Sequence, residues 1–190
     1  EAIGMMTGIV TTVPLSHATP AAFAAHDDSR KNYLAIADQM IFDSGLDVLM
    51  GCGNPDFDND GNALTTAQYD YLSGTTWNAL KAGTAANDRD GDSTSDPWVL
   101  VTERSAITAL ASATVFAHVA GIPRVHETLQ QHRSGNARAE PFAVPQDEAV
   151  PTLSEMTVAS LALLSTGTNG FFLVIEGGAI DWANHANQSG

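Results

Sequence analysis

The sequence predicts a three-layer α/β protein, in which helices cover both faces of a largely parallel central sheet. Two observations favour this fold. Strand-like and helix-like segments alternate along the chain, and the strand-like segments are apolar throughout instead of alternating with polar residues. The 190 residues, 44% of them hydrophobic, are enough to bury a sizeable core. We therefore expect residues 1–190 to form a single domain.

The first part of the chain is expected to give two strands and two helices. In chain order these are a strand over residues 7–13, a helix from about residue 20, a helix over 32–43 and a strand over 46–50. The run TGIVTTV is β-branched and apolar, which is typical of a buried strand, and Pro14 ends it. Pro20 suits the first turn of a helix, and this makes Thr19 the expected N-cap. Gly51 to Gly53 closes the second strand.

The remaining elements follow the same alternation. They are a partly helical stretch over residues 65–82, a strand over 98–102, helices over 105–120 and 152–165, and a buried strand over 171–175. Gly121 with Pro123 beyond it is a normal helix stop, and Thr152 with Glu155 forms a capping box. The expected loops cover residues 54–61, 86–97 and 133–151, so that an Asp-rich insertion occupies about 54–97.

Composition excludes some function classes. The formal net charge is −14 with only eight Lys and Arg, which argues against a nucleic-acid partner because phosphate backbones are held by clustered cations. Cys52 is the only cysteine, so an internal disulfide and a cysteine-based zinc site are both excluded, and its simplest role is that of a small buried residue. The sequence contains no stretch of 18 apolar residues, so no membrane span is predicted.

The segment after the last predicted strand carries metal-ligand chemistry. Glu176 ends the strand, and Asp181 and His185 are four residues apart, so they share one face of a helical turn. An Asp oxygen beside a His nitrogen makes half of a zinc site, whereas a carboxylate at a strand end suits Mg²⁺. The alternative is that these polar residues are simply solvated.

Two residues after the first strand also invite a functional interpretation. The Thr19 hydroxyl can cap a helix or ligate Mg²⁺ through oxygen. The Arg30 guanidinium suits bidentate contact with phosphate, although an isolated surface arginine is more often solvated. Since ligands of α/β proteins bind outside the carboxyl ends of the strands, the segments that follow the first and the last strand are both candidate parts of a ligand site.

Taken together, these segments closely resemble the alkaline phosphatase family, in a bacterial, marine-type form. The resemblance is carried by GIVTT at residues 8–12, HATPAA at 17–22, His26, Arg30, Tyr33, DVLMGCG at 47–53 and FFLVIEGGAID at 171–181. It spans most of the chain and is weakest in the Asp-rich loops.

The resemblance implies hydrolysis of phosphate monoesters through a phosphoserine intermediate at a site with two Zn²⁺ and one Mg²⁺. Asp181 and His185 match ligands of the first zinc, and Thr19 and Glu176 match ligands of the magnesium. Arg30 matches the arginine that binds the substrate phosphate. The resemblance further implies a homodimer and a periplasmic or secreted location.

Two positions depart from the pattern of many relatives. His17 stands where some bacterial members have Asp, so it is either a second-shell residue of the magnesium or a variant ligand, and the identity of the third ion stays open. Trp182 follows the zinc-ligand Asp where many relatives have Lys or His.

The resemblance also implies that the nucleophilic serine and the remaining zinc ligands lie outside these residues. The Asp43-Ser44 dipeptide mimics the nucleophile, but it lies between a helix and the strand at 46–50. His118, His126 and His132 are expected to be surface residues. We therefore expect an internal fragment of the enzyme that is inactive when isolated.

Two other functions remain open. Asp56, Asp58 and Asp60 before Gly61, and Asp88, Asp90 and Asp92 around Gly91, resemble incomplete calcium loops, so a calcium-stabilised binding module is one alternative to plain solvated turns. The other alternative keeps the phosphatase superfamily but changes the substrate to phosphodiesters or sulfate esters.

Overall fold

The protein, studied as a computed structural model that describes residues 4–140 and 143–188, is built on one five-stranded parallel sheet. The strands are β1 (Met6–Pro14), β2 (Val48–Cys52), β3 (Ala86–Asn87), β4 (Asp96–Pro97), β5 (Val99–Val101), β6 (Val119–Gly121) and β7 (Phe171–Glu176). The sheet has the order β5-β6-β2-β1-β7, and β3 and β4 form a separate antiparallel pair. The predicted parallel α/β architecture is confirmed.

Helices cover both faces of the sheet, as predicted. They are α1 (Ala18–Ala24), α2 (Tyr33–Phe42), α3 (Gly74–Ala82), α4 (Arg104–Ala109), α5 (Leu153–Leu164) and α6 (Gly178–His185). Ile9 of β1 belongs to the core cluster that includes residues of α1, α2 and α3, whereas its neighbour Val10 belongs to the cluster with residues of α4 and α5. This division follows from the strand period of two, which sends successive side chains to opposite faces.

The capping box of α5 is confirmed. The Thr152 hydroxyl accepts from the backbone N–H of Glu155, and the Glu155 carboxylate accepts from the N–H of Thr152. These contacts satisfy two donors at the start of the helix, and α5 then contributes Met156 and Leu163 to the core.

The predicted helix over residues 105–120 is wrong in its second half. α4 ends at Ala109, a 3-10 turn covers Leu110–Ser112, and β6 occupies a place between β2 and β5. Gly121 permits this packing, because a Cβ there would lie 2.8 Å from the Met50 Cγ. The Ala-rich sequence of residues 105–120 is compatible with a helix and also with a short buried strand. Pairing with β2 and β5 therefore decides that residues 119–121 form a strand.

Two strands differ in detail from the prediction. β2 begins two residues late and continues through Gly51, where a Cβ would lie 2.9 Å from the Thr11 Cγ2, so the expected closing turn is part of the strand. β7 was expected to be buried, but it is an edge strand, and the side chains of Phe172 and Ile175 are about half exposed. Apolar composition predicted the strand correctly and its position in the sheet incorrectly.

The prediction that His118 and His126 lie on the surface is wrong. Each is only 5% exposed, because the chain that follows α4 and the 3-10 turn runs through the interior of the protein. The His118 ring nitrogens contact the carbonyl oxygens of Leu46 and Asp96 at 2.9 and 3.2 Å. His132 is exposed, as predicted. Cys52 is buried, also as predicted.

The loop regions follow the prediction closely. Residues 133–140 and 143–151 contain no helix or strand, and residues 141 and 142 lie outside the described part of the chain. The 86–97 region gains only the short β3–β4 pair. None of the helices within residues 4–140 and 143–188 is long and apolar enough to cross a membrane.

Candidate active site at the carboxyl ends of β1 and β7

The parallel pairing of β1 and β7 brings two distant parts of the chain to one edge of the sheet. Thr11 pairs in register with Glu176, although 165 residues separate them. Residues 16–30 and 177–185 therefore leave the sheet side by side at its carboxyl edge, where ligands of parallel α/β sheets bind.

Glu176 is held by a hydroxyl from the neighbouring strand. The Thr11 Oγ1 donates to the Glu176 Oε2 at 2.6 Å, and Thr11 is fully buried. A carboxylate that accepts such a bond in a half-buried position has its orientation fixed before any ligand arrives. Thr11 was not predicted as a site residue, although two adjacent threonines near the end of an apolar strand are a signal visible in the sequence.

The turn from β7 into α6 requires a glycine. A Cβ at Gly178 would lie 2.8 Å from the Val13 Cγ2, which is closer than real Cβ atoms approach a neighbour, and 3.0 Å from the Glu176 Cδ. The Thr12 hydroxyl then accepts from the backbone N–H of Ala179 at 3.0 Å and satisfies one donor of the first turn of α6. Residues of β1 thus fix where α6 begins.

Asp181 and His185 lie together on α6, as predicted. The Asp181 Oδ1 and the His185 Nε2 are 3.6 Å apart, and their side chains are 72% and 83% exposed. Two ligand atoms at this separation on an open helix face can contact one ion. Within residues 4–140 and 143–188 no third carboxylate, imidazole or thiolate closes around this pair.

His17 interacts electrostatically with charged residues of both segments, residues 16–30 and the segment from Glu176 to His185. Its pKa is lowered, first by burial and then by the Arg30 guanidinium, while Glu176 and Asp181 act in the opposite direction. A lowered pKa leaves the imidazole neutral, with a lone pair available to a metal or a hydrogen-bond donor. His17 therefore lies within the electrostatic reach of Arg30, Glu176 and Asp181.

Thr19 does not have its predicted capping role. α1 begins at Ala18, and His17 occupies the N-cap position without a side-chain cap hydrogen bond. The backbone N–H of His17 bonds to the carbonyl of Pro14, and this tight turn starts the helix two positions earlier than predicted. Thr19 thus lies in the first turn of α1, two residues beyond His17.

An aromatic wall extends the site on the side of α6. The Trp182 ring lies 5.0 Å from the His17 ring and 5.1 Å from the His132 ring, measured between centroids. On its other side His17 stacks on Tyr33 at 5.9 Å. His132 comes from the loop after β6, and no sequence motif pointed to it.

The residues suspected of mimicking other sites lie elsewhere. The Ser44 hydroxyl donates to the Met40 carbonyl before β2 begins, at the amino edge of the sheet. In the first Asp-rich loop, burial acts to raise the pKa of Asp58, but the hydrogen bonds that it accepts from Asn62 and from the backbone N–H of Asp60 together lower it. In the second loop, the described residues include one compact exposed acidic group, Asp88, Asp90 and Asp92.

Comparison with known proteins gives a consistent result. The family model described as alkaline phosphatase matches residues 1–190. Alkaline phosphatase 4 of Bacillus subtilis is 32% identical over 98% of this chain and 32% of its own length. The chain thus spans about a third of this curated relative.

Solved structures resemble the fold as well. The cold-active alkaline phosphatase of the psychrophile Shewanella sp. is 33% identical and superposes with a TM-score of 0.64, over 98% of this chain and 35% of that one. A variant of the alkaline phosphatase from the Antarctic bacterium TAB5, with Mg bound in its M3 site, is 23% identical with a TM-score of 0.57, over 99% of this chain and 43% of that one. The second likeness concerns the fold alone.

Proposed function

Because the chain belongs to the alkaline phosphatase family, we propose that its residues supply part of a site that hydrolyses phosphate monoesters. The observation that supports this most directly is the pairing of β1 with β7, which brings His17, Arg30 and Glu176 to one edge of the sheet. We also infer that residues 1–190 are the central part of a catalytic domain, with the Asp-rich loops of residues 54–97 inserted in it.

The donor atoms present fit zinc and magnesium. Asp181 and His185 offer an oxygen and a nitrogen 3.6 Å apart, which is the ligand chemistry of zinc. Glu176 offers a carboxylate whose orientation is fixed by Thr11, and this suits the hard Mg²⁺ ion. Thr19, in the first turn of α1, adds a hydroxyl oxygen. His17 either supports the magnesium through a bound water or ligates the third ion directly as a variant ligand.

Each residue then has one role in phosphoryl transfer. The bound metals would supply Lewis-acid polarisation of the phosphoryl group. Arg30 carries a guanidinium on the loop between α1 and α2, where it can bind two phosphate oxygens and offset charge on the transferring group. Thr11 keeps Glu176 in place, and Gly178 lets α6 present Asp181 close to it.

Other properties of the complete enzyme remain part of the proposal. The resemblance assigns the nucleophilic serine, a phosphoserine intermediate and the second zinc's ligands to segments outside residues 1–190, so we expect this chain alone to be inactive. A homodimer in the periplasm or outside the cell is the accompanying expectation. The net charge of −14 suits such a surface and disfavours nucleic-acid partners.

Zinc binding to the 190-residue chain tests the metal half of the proposal. Titration calorimetry should show one Zn²⁺ bound, and D181N or H185A should weaken the affinity by about 10-fold or more. D90N removes a carboxylate from the exposed group in the second Asp-rich loop and serves as the matched control, with no change in zinc affinity. Equal affinities of all four proteins would overturn the assignment of Asp181 and His185.

A chimera tests the catalytic half. Residues 1–190 replace the matching segment of Bacillus subtilis alkaline phosphatase 4, and hydrolysis of p-nitrophenyl phosphate is compared with that of its diester and sulfate counterparts. We expect a preference for the monoester. R30A should lower kcat/KM by on the order of 100-fold, whereas R138A, at another exposed arginine, should not. Equal rates for R30A and R138A would contradict the role of Arg30.

A further inference from the structure

Six side chains close into a ring beside the candidate metal pair. In order around the ring they are His17, Tyr33, Tyr71, Glu127, His132 and Trp182. The ring centroids are 5.9 Å apart for His17 and Tyr33 and 5.3 Å for Tyr33 and Tyr71, and the Tyr71 hydroxyl lies 3.1 Å from the Glu127 carboxylate. On the other side, the centroids are 5.1 Å apart for His132 and Trp182 and 5.0 Å for Trp182 and His17. The sixth junction is the hydrogen-bonded contact between Glu127 and His132.

Glu127 is the only carboxylate of this ring and its most connected member. Its side chain accepts from the Tyr71 hydroxyl at 3.1 Å and from the Asn59 Nδ2 at 2.9 Å, and it contacts the His132 Nδ1. Burial alone would raise the pKa of Glu127, but these bonds outweigh it and the pKa is lowered. An ionised carboxylate with three partners holds the side chains that contact it.

The ring supports a part of α6 that has little support of its own. Asp181 and His185 are 72% and 83% exposed, so packing does not fix their positions. Trp182, directly after Asp181, packs against the rings of both His132 and His17. Glu127 contacts His132, which lies on one side of Trp182. It also bonds to Tyr71, which is connected through Tyr33 to His17, the other neighbour of Trp182. Glu127 is therefore linked to both aromatic neighbours of Trp182.

We propose that Glu127 is a positioning residue for the metal pair, acting through His132 and Tyr71 to fix Trp182 and hence the turn of α6 that presents Asp181 and His185. This role rests on the proposed zinc site. Glu127 has no direct part in binding the ion, and it acts as the outer residues of metal sites do, by restricting how the ligands can move.

The indole resonances of the 190-residue chain test the positioning directly. The chain has three tryptophans, and the indole N–H groups of Trp77 and Trp98 bond to Asp56 and to the Ile41 carbonyl. We expect E127Q and H132A to shift or broaden the Trp182 resonance, assigned with W182F, while the other two stay in place. E103Q is the matched control, because Glu103 pairs with Arg124 instead, and it should shift none.

Zinc affinity then separates positioning from a purely structural role. E127Q and H132A should weaken zinc binding by about 10-fold, and E103Q should leave it unchanged. H132F keeps a ring against Trp182 but loses the bond to Glu127, so its affinity should fall between those of H132A and the wild type.

Each other outcome has one meaning. An unmoved Trp182 resonance in E127Q overturns the proposal, and so does a moved resonance with unchanged zinc affinity. A wild-type chain that binds no zinc overturns the proposed metal site and this role with it, while the Trp182 resonance still shows whether the ring exists. Unchanged Trp77 and Trp98 resonances establish that a variant is folded.

Discussion

Thr11 and Glu176 are joined by a 2.6 Å hydrogen bond across the pairing of β1 and β7. This bond connects the two parts of the chain that carry the candidate ligands, and its donor is completely buried. The stability of the sheet and the orientation of a candidate metal ligand therefore depend on one hydroxyl.

Removing that hydroxyl should destabilise the fold. T11V keeps the shape of the side chain but leaves the Glu176 carboxylate without its donor, which we expect to lower the free energy of unfolding by about 1–3 kcal/mol. T11S keeps the hydroxyl and should lose less than T11V. Urea denaturation followed by circular dichroism measures both, and a T11V protein as stable as the wild type would show that the bond contributes nothing.

Gly178 should not tolerate a side chain. G178A places a Cβ within 3.0 Å of Val13 and Glu176, so we expect about 1–3 kcal/mol of destabilisation from overpacking. G177A is the matched control, because the nearest atom to its Cβ would be the flexible end of Ile180 at 3.0 Å. The same denaturation experiment compares them. Equal losses in the two variants would contradict the specific role of Gly178.

The Cys52 thiol should report global unfolding. It is fully buried, and burial raises its pKa, so the reactive thiolate is scarce in the folded protein. We expect a disulfide reagent to label the native chain about 1,000-fold or more slowly than the chain in urea. T11V should increase the native rate by about tenfold for each ~1.4 kcal/mol of unfolding free energy that it loses. Fast labelling of the native wild type would place Cys52 at an accessible position and contradict its burial.

His118 should make stability depend on pH. Its pKa is lowered by burial, and to a lesser extent by Arg89, against the opposing effect of the Leu46 and Asp96 carbonyls. The unfolded chain therefore binds a proton that the folded chain refuses, so this contribution to stability is complete above the ordinary pKa of about 6.5 and is lost as pH falls through the lowered value.

The measurement is the slope of unfolding free energy against pH. Below about pH 6.5 the wild type should lose up to about 1.4 kcal/mol per pH unit more than H118Q, because glutamine cannot titrate. His26, exposed and outside the core, gives the control variant H26Q, which should keep the wild-type slope. Parallel curves for H118Q and the wild type would contradict the lowered pKa.

The sequence by itself predicted the alternation of strands and helices, the family resemblance and the pairing of Asp181 with His185 on one helix face. These features depend on short-range periodicity and on local motifs, which residues a few positions apart determine. The capping box of α5 succeeded for the same reason, since both partners lie within three residues.

Only the tertiary structure decided which residues meet across long separations. The bond from Thr11 to Glu176, the burial of His118 and the ring around Glu127 join side chains that lie up to 165 residues apart, and strand register or loop packing sets each of them. The three residues of β6 have no clear local preference for helix or strand, and they form a strand because they pair with β2 on one side and β5 on the other. Local patterns carry no information about such neighbours, because burial and pairing are properties of the assembled sheet.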